Sequence, residues 1–166
     1  MYALKPISRE SVAGALAKAE RYRLLNEPSE AESICRDVLE VDPGNREARI
    51  SLILSLTDEF SKDDRAFAGA LAETARLDSG YDRTYYSGII WERRAKASQD
   101  ACRLGSGRHV YEWIVKALAL FEEAERLRPA GNDDSILRWN ACVRFLERHK
   151  TLGPRTEDVK EPILSE

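Results

Sequence analysis

Histidine occurs twice in this 166-residue chain, cysteine three times and methionine once, so the side chains that most often ligate metals or act as nucleophiles are scarce. His109 lies beside a glycine loop and His149 near a helix C-terminus, where the dipole favours a cationic ring; neither has a cysteine or carboxylate at ligand or triad spacing. Cys35, Cys102 and Cys142 are odd in number and far apart, which argues against a disulfide framework or a zinc knuckle. All three read as small buried apolar residues. Gly105-Ser106-Gly107 lacks the Lys-Ser/Thr that follows a phosphate-binding loop. Asp133 and Asp134 beside Asn132 read as helix caps, and Glu122, Glu123 and Glu125 as a solvated helix face. No enzyme activity, cofactor or metal is expected.

Long apolar runs are also missing. Lys18, Glu20, Arg21 and Arg23 interrupt the alanine-rich opening, and no window approaches about 18 uncharged apolar residues. No membrane segment is expected, and a cytoplasmic location follows as the expectation. Neither charge sign dominates: 26 basic residues stand against 29 acidic ones, so nothing draws the chain to nucleic acid phosphates. With 43% hydrophobic residues and the length of one domain, the chain can bury roughly 70% of the surface its unfolded form exposes. One core, elongated or compact, is expected.

What the chain has is helical periodicity almost throughout. Residues 1–7 form a lead-in, and Ser8 is a candidate cap for a helix to about Leu25, with Val12, Leu16, Ala19 and Tyr22 on one stripe. Asn26-Glu27-Pro28 opens a second helix, which Asp42-Pro43 stops because the residue before proline is pushed out of the helical region. Asn45 caps a third, from about Arg46 to Phe60. Its Ile50, Leu52, Leu54 and Leu56 alternate as a strand would, yet Ala48, Leu52, Leu56 and Phe60 repeat at i, i+4 and the chain offers no second strand to pair with. A fourth helix runs from Ser61 or Asp63 to about Leu77, a fifth over 83–104, a sixth from about Arg108 to Arg128 and a seventh from about Asp133 to Arg148. Residues 151–166, with Gly153-Pro154, Pro162 and mixed charges, read as a flexible tail.

One spacing occurs twice. Ala31, Cys35, Val38 and Pro43 are matched by Ala117, Phe121, Ala124 and Pro129, with Gly-Asn just beyond each proline. Small residues let two helix backbones approach, larger neighbours fill the gaps, and the proline fixes where the chain turns.

On these residues the chain resembles the tetratricopeptide repeat family, whose 34-residue unit pairs a Trp-x2-Leu-Gly-x2-Tyr helix with an Ala-x3-Phe-x2-Ala helix ending in proline. Tyr22 takes the tyrosine position of the first unit and Ala19 replaces its glycine, whereas Ala15 and Lys18 miss the Trp and Leu. Leu52 matches the Leu of the second unit; Leu56, Phe67, Leu71 and Thr74 answer it loosely. The resemblance covers about 12–148, with an enlarged third unit at about 80–129. It implies an all-α fold of about seven helices, a right-handed superhelical stack of helical hairpins over residues 8–148.

In that family the first helix of each hairpin lines a concave groove that receives a protein or peptide segment. The resemblance puts Leu16, Glu20, Arg23 and Leu24 on the groove, then Ile50, Leu54, Thr57 and Asp58, then Tyr86, Ile90, Arg93 and Arg94. The partner-binding candidates are Glu20, Arg23, Asp58, Tyr86, Ile90, Arg93 and Arg94, an arginine and aromatic hot spot. Leu16 and Glu20 stand where chaperone-binding members carry lysine and asparagine, so capture of a chaperone's terminal carboxylate is not expected. An adaptor or scaffold for a partner segment is the leading expectation. A self-assembling homo-oligomer joined through Val159, Ile163 and Leu164 and a small bacterial-type secretion chaperone are the alternatives.

Overall fold

Pro28 sits at the first position of its helix, where a missing N–H leaves no hydrogen bond unmade, and the helix runs Pro28–Val41 until Asp42-Pro43. Side-chain acceptors mark three further helix starts, whereas Ser8 and Asp133, expected as caps, make no capping bond. The Asn45 side chain accepts a 2.9 Å hydrogen bond from the Ala48 N–H, Asp63 accepts one of 2.8 Å from Arg65, and Asn132 accepts one of 2.9 Å from Asp134. Asn26 turns the first corner with φ at 60°, in the left-handed region that asparagine tolerates.

The computed structural model describes residues 2–100 and 107–153. Seven α-helices follow a single 3₁₀ turn at Arg9–Ser11: α1 Val12–Leu24, α2 Pro28–Val41, α3 Arg46–Asp58, α4 Asp64–Thr74, α5 Gly80–Asp100, α6 Gly107–Leu127 and α7 Asp134–Arg148. Among the described residues there is no strand, so the alternating stretch at 50–56 is helical as expected. Helix α5 begins three residues before the expected 83 because the Ser79 hydroxyl accepts from the Asp82 N–H at 3.2 Å and caps it. Residues 101–104 of the helix expected over 83–104, with Cys102 and the first glycine of the 105–107 loop, lie outside the described residues.

The starts of α1, α3 and α5 fall at Val12, Arg46 and Gly80, each 34 residues after the last. Then the period breaks, because α5 and α6 are 21 residues each whereas α1 to α4 span 11 to 14.

Every helix packs on its neighbour in the chain, most extensively α5 on α6, and a second set of contacts joins α1 to α3, α3 to α5 and α5 to α7. Among the described residues no comparable packing returns from α6 or α7 to α1 or α2. The apolar interior accordingly forms two clusters. The first gathers Ala19, Cys35, Leu52, Ile53, Phe60, Ala70 and Ile90 from α1 to α5. The second gathers Ile89, Val110, Ile114, Phe121, Cys142 and Phe145 from α5 to α7. Ile89 and Ile90 are neighbours on α5, so that one helix supplies both cores. Leu152, within the stretch expected to be tail, packs half-buried on the second cluster; residues 154–166 lie outside the described residues.

The tightest joint is between α5 and α6. Gly88 is buried against Phe121, and a Cβ at residue 88 would stand 2.6 Å from the ring. A glycine is required there for the two helices to approach.

Candidate functional site

The odd-numbered helices present a common face, and along it runs an open groove of roughly 540 Å³ between α1, α3 and the start of α5. Leu16, Ile50 and Leu54 give it apolar lining, Tyr86 an aromatic one, and Glu20 and Arg23 charges. These side chains meet because helical residues three and four apart share a face and because α1, α3 and α5 lie in register.

Ion pairs fix that register. Arg23 donates from Nε and Nη2 to Asp58 Oδ2 at 3.0 and 2.9 Å, joining the ends of α1 and α3. From α5, Arg93 donates to Thr57 Oγ1 at 2.7 Å and to Asp58 Oδ1. At the other end of the groove, Arg46 grips Asp82 with two bonds of 2.6 and 2.8 Å, and that carboxylate is almost fully buried. All of these links span 35 or 36 residues. Two-pronged arginine–carboxylate contacts hold orientation as well as distance.

Burial pushes the Arg93 guanidinium below the ordinary arginine value, Asp58 draws it back up, and the nearby charges of Arg23 and Arg138 push it down again. Burial, helped by Tyr85, raises the Tyr86 phenol to about 12. Tyr86 is therefore a neutral lining group at neutral pH.

A second polar centre adjoins the first. Glu92 is fully buried on α5; Lys96 donates to its Oε1, and Arg138 of α7 lies 3.6 Å from its Oε2, which accepts no hydrogen bond. Two cations offset the cost of burying this carboxylate. Neither Glu92 nor Arg138 stood out in the sequence. The i, i+4 spacing of Glu92 and Lys96 was the available signal, and it does not distinguish a buried pair from a surface one.

The predicted residues thus separate. Glu20, Arg23 and Tyr86 line the groove, and Asp58 and Arg93 close one end of it. Ile90 has no exposed surface, being part of the first core. Arg94 lies elsewhere, over the rings of Phe67 at 4.8 Å and Trp113 at 5.4 Å, bridging α4 and α6. Adjacent helical residues point about 100° apart, which parts Arg94 from Arg93. Leu24 is 83% exposed at the end of α1.

Burial and the Glu92 charge raise the Cys142 thiol to about 12, and burial also raises Cys35, so neither is a ready nucleophile at neutral pH. A ring nitrogen of His149 lies 2.8 Å from the Phe145 carbonyl, and His109 stacks on Trp113. Among the described residues no three His, Cys, Asp or Glu side chains are placed to hold a metal ion, and no helix is long and apolar enough to cross a membrane. No family model, curated protein or solved structure matches the chain.

Proposed function

We propose that this chain is a protein-binding adaptor of tetratricopeptide-repeat type, a stack of helical hairpins that receives an extended segment of another protein on the face of α1, α3 and α5. The observation that carries the reading is the open groove on that face, with Leu16, Ile50, Leu54 and Tyr86 as its floor and charged groups at both ends. A floor of this kind takes alternate side chains of an extended peptide, and the charged ends set its direction. The 34-residue steps between helix starts and the contacts linking α1, α3, α5 and α7 support the stacked arrangement.

Selection from a displayed library of random twelve-residue peptides tests the binding. Enriched sequences should bind the full chain with Kd near micromolar, about −8 kcal/mol. The double substitution Leu16→Glu with Glu20→Lys should weaken them at least tenfold, whereas Leu137→Glu, at an exposed site on α7, should change nothing. A library without enrichment, or binders indifferent to the groove pair, would remove the adaptor reading.

A further inference from the structure

The two arginines that line the groove already have carboxylates. Arg23 donates from Nε and Nη2 to Asp58, and Arg46 donates from Nε and Nη2 to Asp82. The lining also holds two carboxylates, Glu20 on α1 and Glu47 on α3. Both are exposed, and among the described residues neither has an ion pair. Glu20 lies one turn before Arg23, but that guanidinium is turned to Asp58; Glu47 follows Arg46, whose guanidinium is turned to Asp82. Arg93, the second cation on Asp58, stands on α5 outside the lining. Tyr86 adds no charge, since its phenol is raised to about 12. The charges left open in the groove are therefore both negative.

Their separation sets the spacing of what they can recognise. Helix starts 34 residues apart place Leu16 level with Ile50 and Glu20 level with Leu54. From Glu47, in the first turn of α3, to the level of Leu54 is about 10 Å along the helix. One interhelical step across the face adds about 9 Å at right angles, so the two carboxylates are carried about 14 Å apart. An extended chain covers that distance in about four or five residues. Leu16, Ile50 and Leu54 lie between them as the apolar floor.

We propose that the segment this groove receives is basic and apolar: two lysine or arginine side chains about four or five residues apart, one donating to Glu20 and the other to Glu47, with apolar side chains between them on Leu16, Ile50 and Leu54. The inference rests on the groove being the binding surface; it adds the chemistry of the partner. An acidic segment is rejected, because it meets Glu20 and Glu47 while the arginines of the lining are already engaged.

The displayed library reads this chemistry through the composition of the peptides it enriches, and titration calorimetry with the most enriched peptide reads the contacts. Enriched sequences should carry two basic residues at that spacing around apolar ones. Glu20→Gln and Glu47→Gln, both at exposed positions, should each weaken the peptide about two- to fivefold, the range of an exposed ion pair. Changing the peptide's own basic residues to glutamine should abolish the difference between these variants and the wild type. An ionic strength of about 1 M should also remove most of it. Glu123→Gln, on the exposed face of α6, should leave affinity unchanged. Enriched peptides that lack basic residues, or an affinity that neither variant alters, overturn the inference while leaving the adaptor reading standing, since that reading requires only that peptides bind in the groove. A library without enrichment removes both.

Discussion

Gly88 and Gly14 are both helical glycines, and opposite consequences follow from their surroundings. At Gly88 an added methyl group meets the Phe121 ring at 2.6 Å, and that ring is fully buried. Gly88→Ala should therefore destabilise the fold by about 1–3 kcal/mol. Around Gly14 nothing lies within 4 Å, so Gly14→Ala should stabilise by about 0.5–1 kcal/mol through helix propensity alone. Urea titration of both variants measures the difference, and equal effects would contradict the close α5–α6 approach. At this scale the sequence was legible where chemistry is local. Pro28, Pro43 and Asn45 act within one turn of themselves. It was illegible where a role depends on what arrives from elsewhere in the chain: Ile90 is core because α1 to α4 close over it, and Arg94 leaves the groove because Phe67 and Trp113 accept it.

Among the elements, α5 decides how the molecule behaves as a unit. It contributes Ile90 to one core and Ile89 to the other, and through Asp82, Arg93 and Glu92 it is tied to α3 and α7. Local disruption of α5 should thus be felt at both ends. Ile90→Ala should cost about 2–5 kcal/mol and lower one shared transition. The three tryptophans, Trp91, Trp113 and Trp139, all pack on the second cluster, so their fluorescence reports that half while far-ultraviolet circular dichroism reports all helices. Coincident thermal curves are expected in wild type and variant alike. A tryptophan signal that survives the loss of part of the helicity would mean two independent units. A long helix over 83–104 was expected from the sequence, with Tyr86, Ile89, Ile90 and Trp91 apolar in its first half, but its dual role was not. Periodicity identifies a buried face without saying how many partners bury it.

Over the whole molecule, stability is coupled to pH on the alkaline side. Burial raises Tyr81 and Tyr86 from 10.0 to about 12, and burial with the Glu92 charge raises Cys142 from 9.0 to about 12. In the unfolded chain these groups lose protons at their ordinary values, whereas the folded chain holds them. Their contribution is fully present below about pH 9 and is lost progressively as pH rises toward 12. Denaturant midpoints should be level up to pH 9 and fall above it; a midpoint still level at pH 11 would contradict the burial of these groups.

The groove on α1, α3 and α5 brings an apolar floor and charged groups together on one face. Amide hydrogen exchange of the 166-residue chain, with and without a saturating library-selected peptide, tests directly whether the groove is the binding surface. Added protection is expected on α1, α3 and the first half of α5, and none on α2 or α4. Protection confined to α6 and α7, or spread evenly over all seven helices, would contradict it.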